Sequence, residues 1–329
     1  QTCALPICQI FIMKLYTTVP PIDESCSNQT ELSSISDEEF HALLKPNHYK
    51  WYHRVYQTIC FFIFLGPLRL IVPFFLFLAF MVFVVLGRLV LHSIGLGDKY
   101  KHLFLRIATL GFRFLLYSFG HLYIKVNGKV DPEARIIISN HLGFADPFAI
   151  EWTVNVSSVM KIELSKNPVF SLIYENCEPI YVDRSKSTGV THYIIERAND
   201  PTKAPILIFP EAVTTNATYL LKFHRGAFVT DKKVQPVCMR YYQLFVPEGW
   251  NTYAWPEPDM FSHILRLLTM PFSWITLDFL PSMTLQDDGN GNVDEFALKA
   301  QLKMANHLKL RAIDRSSNEI YRAKKQKND

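Results

Sequence analysis

Asn140-His141-Leu142-Gly143-Phe144-Ala145-Asp146-Pro147 is the stretch that decides the fold of this chain, because it joins an apolar strand candidate, Arg135–Ser139, to an apolar helical segment. His141 and Asp146 would point about 140° apart on one ideal helix. They can therefore meet only if His141 lies in the turn and Asp146 at the start of the helix. Asp is a favoured N-cap residue, and Pro147 suits the first helical position. The spacing predicts a candidate general base with an orienting carboxylate, although the pattern alone is common.

Around this turn the chain alternates between strand and helix candidates. Such alternation implies crossover connections and a mixed, largely parallel sheet flanked by helices, so we expect an α/β domain over residues 126–312. The strand candidates are Arg135–Ser139, Val159–Ile162, Pro179–Val182, Ala204–Phe209, Val234–Met239 and Trp274–Phe279. The helix candidates are Phe148–Val154, Val169–Tyr174, Thr191–Asn199 and a last helix from Val293 to about Ala312.

A hydrophobic segment precedes this domain and predicts membrane-anchoring helices over residues 48–125. Ile59 to Leu86 holds a single charge, Arg69, and is long enough to cross a bilayer core of about 30 Å. Pro67 and Pro73 interrupt it, and basic residues on both flanks give no orientation. A true span and a re-entrant insertion with both ends cytosolic fit equally well, whereas the length disfavours a buried soluble helix.

The stretch from His102 to Ile124 is predicted to form a second helix, which is amphipathic. Its polar stripe consists of His102, Arg106, Thr109 and Arg113, and the rest of its surface is apolar. Contact with the membrane interface and packing against the neighbouring helices both remain open.

The two ends of the chain are polar. We expect residues 1–47 to be disordered, above all Thr17 to Asp37, which are rich in Ser, Thr, Asn and acids. We expect residues 1–12 to be a sequence artefact, because the run from Thr2 to Ile7 matches the translation of a sequencing-library adapter, and translation would start at Met13. Residues 313–329 form a basic tail.

Composition limits the function classes. A net charge of +4 is too small to indicate a nucleic-acid partner. The six cysteines are scattered without a CxxC pair, which predicts neither a zinc site nor a disulfide scaffold, and no metal cluster is evident.

Polar residues follow two further strand candidates. Asp183 and Arg184 end one strand, and Glu211 ends another, followed by Thr214 and Asn216. Ligand sites collect at the ends of neighbouring strands in α/β sheets. Arg184 could bind a phosphate bidentately or pair structurally with Asp183.

These patches, in this order, resemble the four motifs of the glycerolipid acyltransferase family. They are the histidine–aspartate motif, the Asp-Arg motif, Phe209-Pro210-Glu211 and Val234-Gln235-Pro236-Val237. The lysophosphatidylcholine acyltransferase branch is most similar, and Gly66-Pro67-Leu68-Arg69-Leu70 and Arg240-Tyr241 also match it. The resemblance covers about residues 50–312.

The resemblance implies transfer of an acyl group from acyl-CoA, a co-substrate, to a lysophospholipid hydroxyl at a lipid bilayer, without a cofactor or metal. His141 would be the general base and Asp146 its partner. Arg184 and Glu211 would build the acceptor site, with Asp183, Thr214 and Asn216 assigned to substrate binding.

The chain departs from the family after the motif glutamate, where Ala212 and Val213 replace Gly and usually Thr. If that position requires a positive φ, alanine costs on the order of 1 kcal/mol. A catalytically silent, acyltransferase-like membrane adaptor is therefore the alternative. A serine esterase is excluded, because the chain has no G-x-S-x-G elbow.

Lys325 and Lys327, fifth and third from the end, resemble the lysine retrieval signal of endoplasmic reticulum membrane proteins. We expect that membrane as the location, with the catalytic domain facing the cytosol. The head group and acyl-chain preference stay open.

Overall fold

The computed structural model describes residues 16–43, 51–63, 66–166, 179–182, 190–244, 246, 253–255 and 260–320. Its helices are α1 (Asp37–Ala42), α2 (Trp51–Ile63), α3 (Gly66–Ser93), α4 (Gly97–Ser118), α5 (Asp146–Thr153), α6 (Val190–Asn199), α7 (Met260–Leu268), α8 (Leu285–Gly289) and α9 (Val293–Leu308). Its strands are β1 (Tyr16–Val19), β2 (His121–Gly128), β3 (Ile136–Ser139), β4 (Ser157–Lys161), β5 (Ile180–Val182), β6 (Ile206–Ile208), β7 (Val234–Leu244) and β8 (Ser273–Phe279).

The strands form one eight-stranded sheet in the order β2-β8-β7-β3-β6-β4-β5, with β1 added to β7. Five of the seven pairings are parallel, and only β7–β8 and β1–β7 are antiparallel. The predicted α/β class with a largely parallel, helix-flanked sheet is confirmed.

Strand β3 lies in the middle of the sheet, and its side chains alternate between two cores as the strand period requires. Ile137 faces the core that contains the aromatic side chains of α3, α4 and α5. Ile136 and Ile138 face the opposite core, which is built around α9. Full burial on both faces explains why this strand reads as a continuous apolar run.

Most sequence-based elements are present, with shifted ends. The strand predicted over Val234–Met239 continues to Leu244. The last helix ends at Leu308 rather than near Ala312, because Lys309 adopts a left-handed conformation with φ +51°. The helix predicted over Val169–Tyr174 lies outside the described residues.

The expectation of disorder before residue 47 is wrong for residues 16–43. Tyr16–Val19 pairs with β7, and Ser36 caps α1 with a complete capping box. Phe40 and Leu43 are buried in a small core with the segment after α9. Most side chains of this region are polar because they face solvent, whereas a few apolar side chains such as Phe40 and Leu43 pack it against the rest of the domain.

The helix predicted from His102 to Ile124 is also shifted. Helix α4 runs from Gly97 to Ser118, and residues 121–128 form strand β2. The sheet therefore begins before the expected boundary at residue 126. Strand β2 escaped prediction because it lies at the sheet edge with mostly exposed side chains, so it carries no apolar run.

The hydrophobic segment is divided between α2 and α3. Pro67 lies in the first turn of α3, where its missing N–H costs nothing, and α3 continues through Pro73. Among the described residues, α3 is the one helix long and apolar enough to cross a membrane.

Glu151 on α5 provides a test of how a buried carboxyl group affects the stability of the fold. Its carboxyl group is buried and accepts a hydrogen bond from the Ser158 hydroxyl, and burial raises its pKa to about 8 from the usual 4.5. The folded state thus holds a proton that the unfolded chain loses, so stability falls as the pH rises from about 4.5 to about 8. Glu151→Gln should remove this loss and raise the unfolding temperature most at about pH 8.

Thermal unfolding of the purified protein from about pH 5 to about pH 8 measures this difference. Glu38→Gln, at an exposed position on α1, is the matched control and should leave the profile unchanged. The prediction would be contradicted if the Glu151 variant and the wild type had the same unfolding temperature at every pH.

Candidate active site

His141 and Asp146 meet as the spacing predicted. His141 Nδ1 lies 2.9 Å from Asp146 Oδ2. The histidine follows β3 in the turn, and Asp146 is the first residue of α5, with Ala145 rather than the aspartate at the N-cap. The imidazole is 24% exposed, whereas the carboxylate is fully buried. The hydrogen bond to Asp146 occupies Nδ1 of the imidazole, so Nε2 is the ring nitrogen available for proton transfer.

The Asp146 carboxylate accepts hydrogen bonds from four donors. Besides His141, the backbone N–H groups of Leu142 and Gly143 donate to Oδ2 at 2.5 and 2.8 Å. The Tyr241 hydroxyl donates to Oδ1. Gly143 is required in this turn, because a Cβ there would lie 2.5 Å from the Tyr253 carbonyl oxygen. The carboxylate therefore fixes the turn and the imidazole together.

Tyr241 is a residue of the site whose role the sequence did not reveal. It lies on β7, and its ring packs against those of His121 and Tyr253 with centroids 5.1 Å away in both cases. Burial, followed by the nearby Asp146 charge, raises the pKa of Tyr241 well above its usual value. The hydroxyl consequently stays protonated and acts as a donor.

Two more neighbours of His141 were not predicted. The Asn140 side chain exchanges two hydrogen bonds with the Met239 backbone, at 2.8 and 3.0 Å, and attaches the turn to β7. The Phe209 ring stacks on the imidazole with centroids 4.2 Å apart. Phe209 follows β6, the strand beside β3, so adjacency of the strand ends was the available signal.

Glu211 also follows β6, and each of its carboxylate oxygens accepts a hydrogen bond from a backbone N–H group, while its contact with substrate stays a prediction. Its Oε1 accepts from the His141 N–H at 3.0 Å, and its Oε2 accepts from the Leu221 N–H at 3.1 Å. The residue is 3% exposed, and burial raises its pKa to about 8 against the opposing effect of these two donors. Glu211 thus supports the backbone of the turn that carries His141.

The remaining predicted site residues fall into two groups. The Asn216 N–H donates to the Leu43 carbonyl at 2.9 Å, so Asn216 connects the loop after β6 to the N-terminal segment. Thr214 is half-buried in the same loop, and the substrate contacts of both residues stay predictions. Asp183 and Arg184 lie outside the described residues, so the phosphate contact stays a prediction.

The comparisons with known proteins identify the family of the domain and support its fold. A model of the Acyltransferase family matches residues 123–240, so this chain carries an acyltransferase-family domain. The structure of the 1-acyl-sn-glycerophosphate acyltransferase PlsC from Thermotoga maritima superposes with a TM-score of 0.52 at 14% identity, covering 72% of this chain and 95% of that one, and supports the fold.

Curated relatives narrow the resemblance to lysophospholipid acyltransferases. Lysophosphatidylcholine acyltransferase 2B of Mus musculus is 30% identical over 66% of this chain and 42% of its own length. Lysophosphatidylcholine acyltransferase 1 of Danio rerio is 29% identical over 62% and 40%, and lysophospholipid acyltransferase LPEAT2 of Arabidopsis thaliana is 26% identical over 62% and 37%. The chain spans about two fifths of the length of these relatives.

Ala212 has the backbone conformation that its family position suggested, with φ +58°. Because a Cβ is unfavourable there, Ala212→Gly should stabilise the fold by about 0.5–1 kcal/mol after the greater freedom of glycine in the unfolded chain is subtracted. Chemical denaturation measures the change in the free energy of unfolding.

Ala297→Gly, at a buried position within helix α9, is the control and should destabilise the protein by about 1–2 kcal/mol, because the helix loses propensity and the core loses a buried methyl group. Equal destabilisation by both substitutions would show that Ala212 is not strained.

Proposed function

We propose that this protein transfers a fatty acyl group from acyl-CoA to the free hydroxyl of a lysoglycerophospholipid, with His141 as the general base. The observation that carries the proposal is the partly exposed imidazole held at Nδ1 by a fully buried carboxylate. The family match and the curated relatives support the reaction class and the lysophospholipid acceptor.

The proton follows a short path in this mechanism. His141 Nε2 takes the proton of the acceptor hydroxyl as its oxygen attacks the thioester carbonyl carbon. Asp146 accepts from Nδ1 and stabilises the imidazolium that forms. The C–S bond then breaks, and the CoA thiolate leaves with the proton returned by Nε2. An ester and free CoA are the products.

The membrane is the proposed setting of this reaction. Helix α3 presents large apolar side chains to the outside, including Phe75 and Phe83, which are more than half exposed. A lysophospholipid with its acyl chain in a bilayer would approach the domain at this surface. We further propose the endoplasmic reticulum membrane, with the catalytic domain in the cytosol where acyl-CoA is found.

A second candidate is a catalytically silent adaptor, and the observation that favours it is Ala212. The left-handed backbone of Ala212 favours the glycine that the family has, and the same loop carries Glu211. Against this, the hydrogen bonds around His141 and Asp146 are intact. The enzyme is therefore the better supported function.

Removal of the base is the direct test. His141→Ala should lower acyl transfer by about 10²–10⁴-fold, measured with labelled acyl-CoA and a panel of lysolipids in membranes that express the protein. His307→Ala is the matched control, because it removes a second histidine bonded to an aspartate, Asp278, at 2.8 Å outside the site. Failure of the wild type to acylate any acceptor would favour the adaptor.

Tyr241 should act as a positioning residue for the same reaction. Tyr241→Phe leaves Asp146 Oδ1 buried without this donor, which we expect to lower kcat about tenfold and leave KM unchanged. Steady-state kinetics on lysolipid give both constants.

Tyr242→Phe tests the neighbouring hydroxyl on the same strand. Its ring stacks on Trp274 instead, with centroids 4.9 Å apart, so activity should be unaffected. A wild-type kcat in the Tyr241 variant would exclude the positioning role.

A further inference from the structure

We infer that Arg266, on helix α7, is a positioning residue for His141. It acts through the short segment of residues 253–255, which contacts both the turn after β3 and the tyrosine that donates to Asp146. This role rests on the proposed function, because it concerns how the same imidazole is held for acyl transfer.

The 253–255 segment packs against the turn that carries His141. The Trp255 N–H donates to the Leu142 carbonyl at 2.8 Å, and the Leu142 N–H donates to Asp146 Oδ2. Leu142 is thus held at both of its backbone polar groups. A shift of the segment would therefore move the peptide groups that hold the Asp146 carboxylate next to the imidazole.

The same segment supports the other oxygen of the carboxylate. The buried Tyr253 ring stacks on the Tyr241 ring, with centroids 5.1 Å apart and planes 18° apart. Tyr241 in turn donates its hydroxyl hydrogen to Asp146 Oδ1. Both oxygens of Asp146 therefore depend on the segment, Oδ2 through the turn and Oδ1 through Tyr241.

Arg266 attaches this segment to α7 with one nitrogen. Its buried Nη2 donates to the Ala254 carbonyl at 2.6 Å and to His263 Nδ1 at 2.9 Å. The His263 ring stacks on the Trp255 ring, with centroids 5.0 Å apart and planes 8° apart. One guanidinium thus holds the backbone of the segment directly and the indole at its end through His263.

His263 can accept this hydrogen bond only while its Nδ1 is unprotonated. Its ring is fully buried, and burial, followed by the charge of Arg266, lowers the pKa of His263 to about 3. The imidazole is therefore neutral at physiological pH and carries its hydrogen on Nε2. The contact between the guanidinium and the imidazole is consequently a hydrogen bond rather than a repulsion between two cations.

Steady-state kinetics separate a positioning role from a purely structural one. In Arg266→Lys the shorter, single-headed side chain cannot reproduce both hydrogen bonds of Nη2. We expect kcat to fall by roughly 10-fold to 10²-fold, because a small misplacement of the base impairs proton transfer. KM for lysolipid and for acyl-CoA should stay unchanged, since the substituted residue lies behind the turn.

Arg135→Lys is the matched control for this experiment. The Arg135 Nη2 also donates to a backbone carbonyl, that of Asp200 at 2.6 Å, but Arg135 lies before β3, at the end of the strand away from His141. Its kcat should equal that of the wild type. An unchanged kcat in the Arg266 variant, or equal losses in both variants, would overturn the inference.

A double substitution tests whether Arg266 acts on Asp146. Arg266→Lys combined with Tyr241→Phe should lose less activity than the product of the two single losses, because both residues support the same carboxylate. Losses that multiply would show that Arg266 acts elsewhere.

Hydrogen exchange tests the position of the turn without turnover. The Leu142 and Gly143 N–H groups donate to Asp146, so a peptide spanning residues 140–146 should exchange faster in purified Arg266→Lys than in the wild type. Peptides of α9 should exchange equally in both proteins. Unchanged exchange of the turn would overturn the inference. If the wild type acylated no lysolipid, the proposed function would fall, whereas faster exchange confined to the turn would still show that Arg266 holds it.

Discussion

A carboxylate without access to water requires hydrogen-bond donors on all sides, and Asp146 obtains four from the turn after β3 and from β7. This requirement explains the local architecture. The turn has to curl so that the Leu142 and Gly143 N–H groups converge on one oxygen, and Tyr241 has to stand on the strand beside β3. The imidazole orientation is a consequence of the same set of bonds.

A second carboxyl group, that of Glu211 after the neighbouring strand β6, also supports the turn that carries His141. Glu211 bridges the His141 and Leu221 N–H groups, so the turn that carries His141 is attached to the loop after β6. Leu221 in turn belongs to the small core formed with Phe40 and Ile313. The first and last described parts of the chain therefore stabilise the loop that holds the turn, which gives the N-terminal segment a structural role that its composition hides.

Local patterns predicted the parts of the fold that depend on local chemistry. The apolar run of β3 and the His141–Asp146 spacing were sufficient for the strand–turn–helix unit, because burial and helix-start preferences act within a few residues. Tyr241 could not be assigned, since its role depends on a strand almost one hundred residues away pairing in one register. For Ala212, the family pattern suggested a positive φ that the residue type alone would argue against.

Helices α3 and α4 share a core with the turn that carries His141, which distinguishes them from a flexible tether. Phe112 and Phe119 of the α4 region contact Phe148 and Phe144, with ring centroids 5.1 and 5.8 Å apart. Those two partners lie within or next to the stretch that carries His141 and Asp146. A displacement of α3 and α4 would therefore act directly on the packing around His141. Under the proposed membrane attachment, this shared core sets the distance between His141 and the lipid.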